Sequence, residues 1–268
     1  MRRMSRDKPV EAAAVVVPAL AEGPYSSRLS ARSALYTDLQ HLLEAAQGAG
    51  PTANYRGLVI NENCLAKSSE AARRKTWKEL KARYILDSEN ALFGSFADEW
   101  VRCGCDQERG LTAYCLLALN DKLVADLALK YLFPRLRRAP APLQVDDVLS
   151  FLTSAAGAHP EIADWSENTK TAVAQKYTAS IRDFGLAKGT IQKVTVRPAL
   201  YGAPTRLLIR ALRLAGTREF EIVSSPLFKV LALDTGEVID ALGELSRQGA
   251  LRFRVQGDVV ELDLRGED

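Results

Sequence analysis

Residues 67–83, KSSEAARRKTWKELKAR, carry seven basic side chains (Lys67, Arg73, Arg74, Lys75, Lys78, Lys81, Arg83) against two acidic ones, Glu70 and Glu79. The whole chain is only +3, so a surplus of this size is a local feature. Trp77, Leu80 and Tyr84 recur at i, i+3 and i+7, the spacing of one side of an α-helix. Ser68 or Ser69 can cap its start, with Glu70 in the first turn. At about 100° per residue, Arg74, Lys78 and Lys81 form a second stripe beside the apolar one. Lys75 lies further round, and Arg73 falls close enough to the apolar stripe to be partly structural. The segment therefore reads as a helix that packs through one side and offers cations on another, which suits a polyanion.

Working outward, Leu35, Leu39, Leu42 and Leu43 predict a helix that stops in the turn Gly48–Pro51. A short helix follows on Tyr55, Leu58 and Val59, so the basic helix is preceded by another across a turn, as in helix-turn-helix units. Downstream, a helix is expected from Ser88, carrying Leu92, Phe93, Phe96 and Trp100. Two more, about 106–119 and 121–133, have Asn120 as the cap between them and Pro134 as the stop. Arg135 to Pro142 reads as a basic, stiff connector. Helices follow from Asp146 to about Ala156 and from Ser166 to about Gly185. Thr190 to Val196 then reads as a strand. The last segment offers helices from Pro204, from Ser224 or Ser225, and from Gly236 behind a capping Asp234. A hairpin at Leu251–Val255 and Val259–Leu264 closes the chain. Three short helices and a hairpin are the order of a winged helix.

The expected fold class is thus mainly α, a helical bundle with a winged-helix-like C-terminal unit. Its expected parts are a flexible basic tail at 1–24, an N-terminal helical domain at 25–134, a connector and helical pair at 135–189, and the C-terminal unit at 190–268. The tail has acidic Asp7 and Glu11 ahead of a short apolar run broken by Pro18, which argues against a secretory signal. No stretch approaches the eighteen or so apolar residues of a membrane helix. Four cysteines without a C-x-x-C pair suit a reducing cytoplasm better than a disulfide framework.

Signatures of catalysis are missing from the sequence. It has no phosphate-cradling G-x-x-x-x-G-K-[ST] loop, no G-x-G-x-x-G turn and no G-x-S-x-G elbow. The two histidines, His41 and His159, read as surface or packing residues. Adjacent acids such as Asp98-Glu99 and Asp146-Asp147 point to different sides of a helix and suit helix starts or solvated faces. The expectation is a protein that is not an enzyme and uses no metal or other cofactor. The candidate nucleic-acid-binding residues are Lys67, Ser68, Ser69, Arg74, Lys75, Lys78 and Lys81, with Arg135, Arg137 and Arg138 extending the track. The third C-terminal helix carries Glu237, Asp240 and Glu244 against Arg247, which repels phosphate and suits protein docking.

Two stretches, KTWKELKARYILDSENALF at 75–93 and WSENTKTAVAQKYTASIRDFGL at 165–186, resemble the BrxA family of BREX phage-exclusion systems. The likeness extends over roughly 25–265. It implies a NusB-like helical fold, binding to double-stranded DNA, and work beside other proteins of the defence system. It transfers no catalytic residues. The alternative is a protein–protein adaptor that scaffolds the defence complex without contacting DNA.

Overall fold

Residues 23–46, 52–256 and 259–264 are described by a computed structural model. Residues 1–22 of the expected tail at 1–24, the helix stop at Gly48–Pro51 and the hairpin turn at 257–258 lie outside the described residues. Among the described residues the chain is mainly α-helical, with two small antiparallel hairpins. Its elements run α1 (Arg28–Ala31), α2 (Tyr36–Ala45), α3 (Tyr55–Ile60), α4 (Glu70–Tyr84), α5 (Ala91–Arg102), α6 (Asp106–Asn120) and α7 (Lys122–Asp126). A π-turn (Leu127–Leu132) leads into α8 (Phe133–Arg137), followed by α9 (Val145–Ala155), a 3-10 turn (Pro160–Asp164) and α10 (Glu167–Asp183). After β1 (Ala187–Lys188) and β2 (Val194–Thr195) come α11 (Gly202–Leu214), α12 (Glu219–Ile222), a 3-10 turn (Pro226–Leu231), α13 (Thr235–Arg247), β3 (Arg252–Gln256) and β4 (Val259–Asp263).

Helix α6 is the axis of the molecule. Every residue from Gly110 to Leu119 is buried, because a helix apolar on all sides must be enclosed by others. Helices α4, α5, α7 and α11 and the 226–231 turn surround it. At Gly110 the backbone of Phe184 comes so close that a Cβ would stand 2.7 Å from its carbonyl oxygen. One apolar cluster reaches from Tyr25 to Leu264, across the boundaries expected near 134 and 189.

Several ends differ from the sequence-based expectation, each for a local reason. Helix α5 starts at Ala91, since Asn90 accepts hydrogen bonds from the Leu92 and Phe93 N–H groups. Asp121, and not Asn120, caps α7. The Asn120 amide instead donates to the carbonyls of Ala82 (2.7 Å) and Arg83 (3.0 Å), the last turn of α4. Pro134 does not end the helical path. The turn before it widens, with the Phe133 N–H bonding five residues back to Ala128, which makes room for a residue lacking an N–H. Arg135 and Arg137 therefore sit on a helix and not on a stiff connector. Of the strand expected at 190–196, Val194–Thr195 forms a strand paired with Ala187–Lys188, and Val194 also bridges Pro142 on its other side. Ser69, Ser166, Ser225 and Asp234 cap the elements expected of them. Pairing of β3 with β4 sets Arg252 opposite Asp263 and Arg254 opposite Glu261.

Glu99 faces inward. It is fully buried and bonded to Arg206 (2.6 Å) and Arg210 (3.3 Å) of α11, which locks α5 to α11. Its neighbour Asp98 is exposed, so the two acids do point apart, but Glu99 lies on no solvated face. Substituting Glu99→Ala strands two arginines in a dry interface. We expect a loss of about 3–5 kcal/mol in unfolding free energy by urea titration, because removing one partner leaves buried charge uncompensated. A loss below about 1 kcal/mol would show that water reaches the site.

Candidate nucleic-acid interface

Thr76, Leu80 and Tyr84 anchor α4, each with no exposed surface. Trp77 and Arg73 are half-buried at the margin, and the Arg73 Nε is buried without a hydrogen-bond partner. Ser69 caps the start by accepting from the Ala72 N–H, and Ile85, at φ 51°, ends the helix. In the turn ahead of α4, the Asn63 amide accepts from the Lys67 N–H (2.8 Å) and donates to the Lys67 carbonyl (3.1 Å).

Arg74, Lys75, Lys78 and Lys81 are all exposed. At about 100° per residue, Arg74, Lys78 and Lys81 fall within an arc of about 60°, with Lys75 a further 60° round. Arg74 to Lys81 spans about 10 Å along the axis. The four differ in their partners. Arg74 bonds Glu70 one turn back at 2.5 Å, and that hydrogen bond holds the Glu70 carboxyl below its ordinary range. Lys81 stands 3.6 Å from Asp87. Lys75 and Lys78 have no carboxylate within ion-pair distance among the described residues.

The other basic residues of the run divide differently. Lys67 pairs with Asp38 of α2 at 2.7 Å, while Ser68 and Ser69 are exposed at the helix start. Arg83 points inward, only 2% exposed. It donates to the Glu79 carboxylate and to the carbonyls of Arg28 (2.9 Å) and Arg32 (3.1 Å), tying α1 to the last turn of α4. Arg32 in turn donates to the Thr76 hydroxyl (3.1 Å).

The proposed extension of the track is mostly engaged elsewhere. Arg135 lies over the Tyr131 ring and bonds Asp147 at 2.9 Å. Arg137 binds Glu237 and Asp234 at the start of α13. Arg138 is exposed and has no ion-pair partner among the described residues. On α13 the exposed residues include Ile239 and Asp240, and Glu244 pairs with Arg247.

Among the described residues no three His, Cys, Asp or Glu side chains gather as a metal site, and no helix is long and apolar enough to cross a membrane. Burial pushes the Cys103 thiol up to about 12, so it is a poor nucleophile there. His159 stacks on Tyr25 with ring centres 3.6 Å apart and lies 3.2 Å from Glu161.

A sequence model of the BrxA family matches residues 23–211, well over half of the chain. The chain belongs to the BrxA family. Membership makes it a component of a BREX phage-defence system. The match ends inside α11, so α12, α13 and the β3–β4 hairpin lie beyond it, short of the span of roughly 25–265 suggested by the sequence alone. A search of curated proteins found no match. Within the matched span lie α4 and every cation described around it.

Arg137 supplies a pH test of the junction between α8 and α13. Its hydrogen bond holds the Glu237 carboxyl down from the ordinary 4.5 to about 2, with Arg197 helping. A folded-state value below the unfolded one gives stability that is complete above about pH 4.5 and is lost as pH falls toward 2. Melting temperatures between pH 5 and 2 should fall less steeply for Arg137→Gln than for the parent protein. Identical slopes would contradict the pairing.

Proposed function

We propose that this BrxA-family chain is a non-enzymatic DNA-binding component of its defence system, acting in the cytoplasm and gripping duplex DNA through the exposed side of α4. The observation that carries the reading is the state of Lys75 and Lys78. They are exposed cations on a helix fixed by three fully buried side chains, and no carboxylate among the described residues lies within ion-pair distance of either. Cationic side chains bind nucleic acid by displacing counterions condensed on the phosphates, so a rigid row of them binds without a pocket or a base-specific contact. Arg74 and Lys81 add to the row once phosphate competes with Glu70 and Asp87, since exposed ion pairs hold by only about 0–1 kcal/mol. Ser68 and Ser69 stand at the positive end of the helix dipole, where hydroxyl and N–H groups receive a phosphate oxygen. Lys67, Arg135 and Arg137 contribute less, because each is already paired with an acid on a neighbouring element.

The helical body is read as NusB-like and the C-terminal segment as winged-helix-like. A second reading, an adaptor that contacts only proteins of the defence system, draws on that C-terminal segment. Ile239 is 44% exposed on an acidic helix, and Val255 and Val259 are exposed on the hairpin, a surface suited to protein and unsuited to phosphate.

Reversing Arg74, Lys78 and Lys81 to Glu should abolish retardation of duplex DNA at physiological salt while leaving the melting temperature unchanged. Neutralising Lys75→Gln and Lys78→Gln should lower the slope of log affinity against log salt by about 1 per lysine. Unchanged binding by both variants would remove α4 as the contact. Pull-down lost only on changing the 236–264 surface, with no DNA binding by the parent protein, would favour the adaptor.

A further inference from the structure

Arg28 and Arg32 bracket α1, outside the basic run of α4, yet the fold brings them beside it. The link is Arg83. Its buried guanidinium donates from Nη1 to Glu79 and from Nη2 to the carbonyls of Arg28 and Arg32, so the backbone at both ends of α1 is held against the last turns of α4. Arg32 is also fixed through its side chain, by the Thr76 hydroxyl. Helical spacing places Thr76 about 100° beyond Lys75, on the flank that turns away from Arg74. Lys75 thus stands between the Arg74–Lys78–Lys81 stripe and Arg32.

The charges on that flank favour an anion. Arg28 is exposed and Arg32 half-exposed, and neither has a carboxylate within 4.0 Å among the described residues. Glu79, the acid of this part of α4, is bound to Arg83. Asp121, the acid whose carboxyl feels Arg28, is buried, and burial raises its pKa. Arg32 keeps donors beyond the one given to Thr76. A guanidinium oriented by a neutral hydroxyl has lost part of its conformational freedom without losing its charge, which suits bidentate contact with phosphate.

We propose that Arg28 and Arg32 form a second line of phosphate contacts, held in register with α4 by Arg83, so that the interface is a composite of α1 and α4. This rests on the reading of α4 as a DNA-contacting helix. Arg83 is then a positioning residue, a cation removed from the interface to aim two others into it.

The test is a titration of the full chain with duplex DNA at several salt concentrations, comparing the parent protein, Arg28→Ala/Arg32→Ala and Lys75→Gln/Lys78→Gln, with melting temperatures alongside. Each neutralised phosphate contributes about 0.9 to the slope. The arginine pair should lower the slope by about 2 with an unchanged melting temperature, and the lysine pair by a similar, separate amount. A lysine effect without an arginine effect overturns the composite interface and leaves α4 standing. Absence of duplex binding by the parent protein overturns the reading of α4 itself, and this inference with it. If the double arginine variant melts lower through loss of the Thr76 contact, Arg28→Ala alone decides. A slope lower by about 1 supports the second line, and an unchanged slope refutes it.

Discussion

The burial of α6 on all sides governs the architecture. Ten consecutive residues, Gly110 to Leu119, have no wet face, so neighbouring elements must pack around the whole circumference. Helices α4, α5, α7 and α11 do so. Asn120, at the end of α6, completes the arrangement by binding the last carbonyls of α4, which would otherwise lack partners. The basic helix is therefore fixed at its start by Ser69, along its length by Thr76 and Leu80, and at its end by Asn120. Its outer side can carry uncompensated positive charge because folding does not depend on that side.

A count of charges along the chain does not separate cations that build the protein from cations that it offers. Arg83, Arg206 and Arg137 lie in stretches as basic as any, yet each is held by an internal acid or by backbone carbonyls. A buried charge is tolerated only when its partners replace the water it loses. Exposed cations without a carboxylate nearby have kept their water and counterions and can exchange them for phosphate. By that criterion the proposed interface loses Lys67, Arg135 and Arg137, keeps Lys75, Lys78 and Arg138, and reaches across to α1.

Much of this was legible in the sequence where the signal is local. The amphipathic spacing of Trp77, Leu80 and Tyr84 located α4, and short polar side chains ahead of apolar runs located the starts of α4, α10 and α13. The C-terminal hairpin was legible in its alternation around Gln256-Gly257-Asp258. Long-range partners were not legible. Glu99 meets Arg206 across more than a hundred residues, and Arg83 reaches back to α1, so periodicity carries no trace of either contact. Pro134 misled because a wider turn absorbs its missing N–H, and 190–196 misled because β-propensity depends on a partner strand that exists for two residues only. Arg28 and Arg32 left no such signal, because Arg28 opens α1 while Arg32 is extended just past its end.

The proposed function requires the outer side of α4 to bind duplex DNA through phosphate contacts. The salt dependence of duplex affinity for the unaltered protein tests it most directly. Log affinity should fall linearly with log salt at a slope of roughly −3.6 to −5.4, the value for about four to six neutralised phosphates. Affinity that is absent at low salt, or that does not change with salt, would contradict it.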